Sequence, residues 1–262
     1  MKFLAGLVFM SSLSALAVEA RYFRAWQGFK KASLSQVAFM SALPSFMNET
    51  VDLYRGHGIL SSYIVIIPPA NKPSFVPDEF ALVALESREG YQAVRATLAG
   101  QNYSARHWDV FNRDNSASAE MMDYSSIRPV TLENNKAYDV MGTPIDWSHG
   151  HTTVFIGTRK TNVDRESFLR ALSGHLAITK NAFGNKGLNG YIAVANQDYE
   201  IAFMNWDSRQ AMELAGQTVA GQVAFADAAR LMDMLMFESA QPFFNIKQAD
   251  FARGYRAQAG VR

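Results

Sequence analysis

The sequence predicts an α+β protein built from two tandem β-α-β-β-α-β repeats. Short runs of β-branched and aromatic residues alternate with longer stretches whose apolar residues recur at helical spacing. That order of elements occurs twice. An acid, a Ser and an Arg follow the third strand in each half, in residues 84–94 (ALESREGYQAV) and 205–215 (NWDSRQAMELA), whose starts lie 121 residues apart.

In the first half, residues 21–30 (RYFRAWQGFK) alternate aromatics as a strand does. Ser33, Leu34 and Ser35 open a helix carrying Val37, Phe39, Met40 and Leu43, and Pro44 is expected to kink or restart it before Met47, Val51 and Leu53. Residues 63–67 (YIVII) form a strand closed by Pro68 and Pro69, and residues 80–85 (FALVAL) form the next. Glu86, Ser87 and Arg88 start one helix reaching to about Phe111, and residues 119–124 close the repeat. Residues 125–150 have little periodicity and read as a linker.

The second half is cleaner. Residues 151–158 (HTTVFIGT) are a strand, and Asn162 or Asp164 caps a helix bearing Phe168, Leu169, Leu172, Leu176, Ile178 and Phe183. Residues 188–195 (LNGYIAVA) and 199–206 (YEIAFMNW) form a hairpin across a turn at Asn196, Gln197 and Asp198. Asp207 and Ser208 cap a helix running to about Met232, and residues 234–239 supply a last strand. Each half thus has the ferredoxin-like order. The expected domains are a first repeat at 21–124, a second at 151–240 and a tail at 241–262. The expected core comprises Ile64, Ile66, Leu82, Val154, Ile156, Ile192, Val194, Ile201 and Phe203.

Residues 1–20 read as a signal peptide. Lys2 supplies the positive start, residues 3–18 are mostly apolar, and the small residues Val18 and Ala20 stand at the −3 and −1 positions of a cleavage site, with Ala15 and Ala17 as an earlier alternative. The run is too short and too rich in serine for a comfortable membrane span. The expectation is a periplasmic or secreted protein without a stable membrane anchor after cleavage.

Composition narrows the chemistry. The absence of cysteine removes disulfides, thiolate catalysis and iron–sulfur clusters. Lys+Arg 25 against Asp+Glu 24 gives a net charge of +1, which is no footprint for nucleic acid. No Gly-x-Ser-x-Gly elbow and no phosphate-binding glycine loop are present. His149 and His151 share one side of an extended segment but lack further ligands, so no metal site is expected. His107 and Asp109 stand two apart on a helix and cannot face one another.

Two fused ferredoxin-like repeats resemble the dimeric α+β barrel superfamily. Residues 203–208 (FMNWDS) resemble its antibiotic-biosynthesis monooxygenase group, in which the third strand often ends in Trp, an acid and Ser. The resemblance implies two sheets packed into one barrel, within a monomer or between the chains of a homodimer. It also implies a small apolar or aromatic ligand, with cofactor-free monooxygenase-like activity among the superfamily's chemistries. No catalytic residue is assigned. The expected pocket lies in the second repeat, lined by Phe155, His175, Tyr191, Asn205 and Trp206, with the first repeat as its structural partner. No cofactor is expected. The alternatives are haem ligated by His175, at the helical position where relatives place an axial ligand, and a non-catalytic interaction module.

Overall fold

The computed structural model describes residues 20–122 and 131–238. Most of the expected signal peptide and the expected C-terminal tail therefore lie outside the described residues. Among those described, no helix is long and apolar enough to cross a membrane.

The first repeat contains β1 (Tyr22–Gly28), α1 (Gln36–Gly56), β2 (Leu60–Ile66), β3 (Glu79–Leu85), α2 (Arg88–Ala96), α3 (Leu98–Val110) and β4 (Ala117–Met122). A short strand, β5 (Lys136–Asp139), follows. The second repeat contains β6 (His151–Arg159), α4 (Arg165–Phe183), β7 (Leu188–Ala195), β8 (Tyr199–Trp206), α5 (Arg209–Gln217), α6 (Val219–Leu231) and β9 (Met232–Glu238).

Three expectations change. Pro44 lies inside α1, which continues unbroken. The ring is buried on the face packed against the sheet, so tertiary packing outweighs the lost backbone bond. Each long helix after the third strand is in fact two helices. Thr97 and Thr218 adopt extended backbone at the breaks, and each hydroxyl accepts the amide hydrogen of a glycine three residues on, Gly100 or Gly221. Finally, the segment read as linker carries β5, which pairs parallel with β4 and antiparallel with β7.

That last strand joins the repeats into one nine-stranded sheet in the order β2-β3-β1-β4-β5-β7-β8-β6-β9. Every pairing except β4–β5 is antiparallel. The sheet curls until strands far apart in this order meet. Phe80 on β3 and Phe237 on β9 have ring centroids 6.0 Å apart, and the Tyr199 hydroxyl on β8 donates to Gln27 Oε1 on β1 at 2.8 Å. All nine residues of the expected core lie in the single cluster on the inner, concave face, and every strand contributes to it. The outer face carries two separate cores, one per repeat, each roofed by that repeat's helices.

The duplication is exact in register. Trp26 opposes Ala81 as Phe155 opposes Ala202, and Gly28 opposes Glu79 as Gly157 opposes Glu200. Counted from their caps Ser35 and Asp164, α1 and α4 place Phe46 with His175, Thr50 with Thr179 and Tyr54 with Phe183. The corner glycines are equivalent too. A Cβ on Gly100 would run into the Val94 carbonyl oxygen, and one on Gly221 into that of Ala215. Gly100→Ala and Gly221→Ala are each expected to cost about 1–3 kcal/mol in urea unfolding. Wild-type midpoints would show that the corners relax freely.

Candidate functional site

The outer face of each half-sheet forms the floor of a chamber under its helices. In the second repeat the chamber is small, about 50 Å³. Phe155, His175, Tyr191 and Trp206 line it together, as their strand and helix positions dictate. Asn205 does not. Adjacent residues on a strand point to opposite faces, and Asn205 Nδ2 donates instead to the His149 carbonyl oxygen at 2.8 Å and to Thr152 Oγ1 at 3.1 Å. Trp206 packs edge-on against Phe183 at 5.4 Å, and its buried indole nitrogen has no hydrogen-bond partner.

A buried polar chain runs beside this chamber. The Tyr191 hydroxyl donates to Glu200 Oε1 at 2.9 Å, and the other oxygen of Glu200 is 3.9 Å from His175 Nε2. His175 Nδ1 lies 3.1 Å from Asp227 Oδ2, and Thr179 Oγ1 is 3.4 Å from Nε2. Burial works against the imidazolium, but the bond to Asp227 and the nearby carboxylates outweigh it, so the His175 pKa is raised. Burial raises Glu200, while the His175 bond holds Asp227 below its usual value.

These surroundings do not fit haem. One ring nitrogen of His175 is bonded to Asp227 and the other faces Glu200 and Thr179, so neither is presented to an iron. A chamber of about 50 Å³ is also far too small for a macrocycle.

A cavity of about 420 Å³ lies in the first repeat, contrary to the expectation that this half is only a structural partner. This volume falls within the range of small-molecule sites. Trp26 from β1, Tyr63 from β2 and Ala81 and Val83 from β3 give its floor, while Tyr103, His107 and Trp108 from α3 and Tyr91 from α2 give its walls. Phe46 stacks on Tyr103 at 5.3 Å and meets His107 edge-on at 4.6 Å, and Trp26 meets His107 edge-on at 5.1 Å. Tyr103 is anchored by a 2.6 Å hydrogen bond to Thr50.

His107 is held in one tautomer and kept neutral. Its Nδ1 lies 3.1 Å from the Tyr103 carbonyl oxygen, which only accepts, so Nδ1 carries the hydrogen and Nε2 keeps a lone pair. Burial pushes its pKa down to about 4, despite the bond to Tyr103, and Arg95 lowers it further. The imidazole is therefore neutral at physiological pH.

Behind Tyr63 lies Glu79, fully buried at the start of β3. The Tyr63 hydroxyl is 3.5 Å from Glu79 Oε1, and the indole N–H of Trp26 also faces this carboxyl. Burial raises its pKa to about 8, against the lowering effect of Tyr63 and Trp26. The Tyr63–Glu79 and Tyr191–Glu200 pairs occupy equivalent registers: Tyr63 opposes Val83 as Tyr191 opposes Met204. His175 supplies a cation only in the second repeat, because Phe46 takes the matching position in the first.

Sequence reasoning missed this cavity. The signal available was a Glu in each apolar third strand, at 79 and 200, each with a Tyr in the preceding strand. Elsewhere, His149 is exposed and bonds Asp146 at 2.6 Å, and no His/Asp/Glu cluster able to hold a metal exists among the described residues.

No family profile and no curated protein matches the chain. Solved structures do. A candidate monooxygenase from Fusobacterium nucleatum subsp. nucleatum superposes with a TM-score of 0.51 at 12% identity, covering 87% of this chain and 93% of that one. A candidate monooxygenase from Lactobacillus acidophilus gives 0.47 at 8% identity, covering 84% and 93%. A haem-binding protein from Thermus thermophilus gives 0.42 at 9% identity, covering 91% and 96%. The first of these shows the fold alone: two ferredoxin-like repeats in one polypeptide, joined in an α+β barrel-type sheet.

The state of Glu79 gives a stability prediction with a definite sign. A carboxyl whose folded pKa of about 8 exceeds its unfolded value of 4.5 binds more protons when native. Its contribution is therefore most favourable below pH 4.5 and is lost as pH rises toward 8. Glu79→Gln is expected to match the wild type near pH 4.5 and to exceed it by roughly 3 kcal/mol at pH 7. Denaturant melts at the two pH values check this, and a constant difference would mean that Glu79 does not titrate in this range.

Proposed function

We propose that this protein is an exported small-molecule protein that binds a planar aromatic ligand in the first-repeat cavity. The cavity itself carries the reading: about 420 Å³ walled by aromatic rings, with the neutral imidazole of His107 set among them. Flat faces of Trp and Tyr favour flat guests, and rings already locked by packing lose little entropy on binding. The second-repeat chamber, with Phe155, His175, Tyr191 and Trp206, is left to the fold and to small guests.

The same geometry suits cofactor-free oxygenation. A ligand with an acidic C–H gives that proton to His107 Nε2, and the carbanion reduces dioxygen. A methylene carbon becomes a carbonyl carbon, one oxygen atom ends on it, and the other leaves as water with both hydrogens. This chemistry is of the monooxygenase class for which the Fusobacterium neighbour is a candidate, and the likeness to that neighbour extends to the fold alone.

Calorimetry with 2-naphthalenemethanol tests the binding step. The expected Kd is on the order of 100 μM. Ala81→Phe, which fills the floor, should abolish binding while leaving the circular dichroism spectrum unchanged. Full-affinity binding to a folded Ala81→Phe would place the ligand elsewhere. Export is tested separately: the mass of the protein recovered outside the cytoplasm should correspond to a chain starting at Arg21, and an intact Met1 would overturn it.

A further inference from the structure

The aromatic cavity has a charge asymmetry that its walls do not require. Arg24 from β1, Arg95 from α2 and Arg113 after α3 all line it. None of the three pairs with a carboxylate among the described residues. Arg24 Nε and Nη2 bond Ser118 Oγ and its carbonyl oxygen, at 3.1 and 3.2 Å, and its guanidinium lies 5.3 Å from the centre of the Tyr91 ring. Arg95 bonds the Ser104 hydroxyl, and Arg113 lies 5.7 Å from the centre of the Trp108 ring. The neighbouring acid on β4, Glu120, is engaged by Arg88 and Lys136 instead. Several other described arginines are paired: Arg159 and Arg165 with Asp198, Arg209 with Glu213 and Glu238, Arg230 with Asp227.

We propose that the ligand of this cavity is an aromatic anion, a fused-ring carboxylate or an equivalent acid, whose ring lies among Trp26, Tyr91 and Trp108 and whose charge is met by Arg24, Arg95 and Arg113. The inference rests on the aromatic-ligand reading and adds the charge. Guanidinium groups held near aromatic rings keep several N–H donors free, and a carboxylate on a ring bound among those rings can accept from them. The field of these arginines already reaches the interior: Arg95 and Arg24 oppose the rise in the Tyr54 pKa, and Arg95 disfavours a charged His107. The one buried acid behind the floor, Glu79, stays protonated at neutral pH and so does not cancel that field.

Three probes of one shape separate this inference from the binding reading: 2-naphthoate, neutral 2-naphthalenemethanol and cationic 2-naphthylmethylamine. Calorimetry should show 2-naphthoate binding at least tenfold tighter than the alcohol, with the advantage shrinking as salt rises from 20 to 300 mM. The Arg95→Gln, Arg113→Gln double variant, whose changes lie at exposed side chains, should bring 2-naphthoate to the affinity of the alcohol and leave the alcohol within twofold. Equal affinities for all three probes, or preference for the amine, would overturn the anion while leaving the aromatic site standing. No binding of any probe would remove the binding reading and this inference together.

Discussion

Both faces of one curled sheet are buried, and everything else in the structure follows from that constraint. The concave face closes on itself with side chains from all nine strands, leaving its interior filled by Phe80, Phe203, Phe237 and their neighbours. The convex face must then be covered by helices, and wherever helix and sheet fail to meet, a chamber opens. Both chambers therefore lie outside the barrel, one per repeat. The short strand β5 makes the arrangement possible by stitching β4 to β7, so neither half-sheet presents an unpaired edge where the repeats join.

Within that frame the two chambers share a register and differ in the side chains that line them. Each has a Tyr–Glu pair at the same register, and a buried carboxyl is costly unless it is partnered or protonated. The second repeat adopts the first solution, placing His175 between Glu200 and Asp227. The first adopts the other: with Phe46 in place of a cation, Glu79 keeps its proton. One repeat thus runs an internal ion network beside its chamber, while the other leaves its chamber uncharged at the floor and cationic at the walls.

Much of the fold was legible because it depends on patterns that repeat along the chain. Strand alternation identified the inner face residue by residue, and the third-strand motif located the capped helices at Ser87 and Ser208. The breaks at Thr97 and Thr218 were hidden because apolar spacing continues across them; only the Thr-x-x-Gly spacing, repeated 121 residues apart, records the corner. The site was half legible. Phe155, Tyr191 and Trp206 alternate correctly onto the outer face, and assigning Asn205 with Trp206 ignored that same alternation. The first-repeat cavity was obscured because its polar members are scattered across β1, β2, α2 and α3, and His107 gives no signal until the fold brings Trp26, Phe46 and Tyr103 around it.

Why the space survives in one repeat and not the other is a matter of side-chain mechanics. In the second repeat the gap between α4, α6 and the sheet is approached by Met204, Met212 and Met234, unbranched chains that adapt to irregular voids, and by Ala224 and Ala228 on α6. The positions corresponding to Ala224 and Ala228 on α3 are Tyr103 and His107, large planar groups locked by hydrogen bonds to Thr50 and to the backbone. Rings fixed edge to face do not fold into the space between them; they act as props. Flexible thioethers close a chamber, and braced aromatics hold one open. The same bracing fixes the outline of the cavity, so the packing that creates the space also sets its shape.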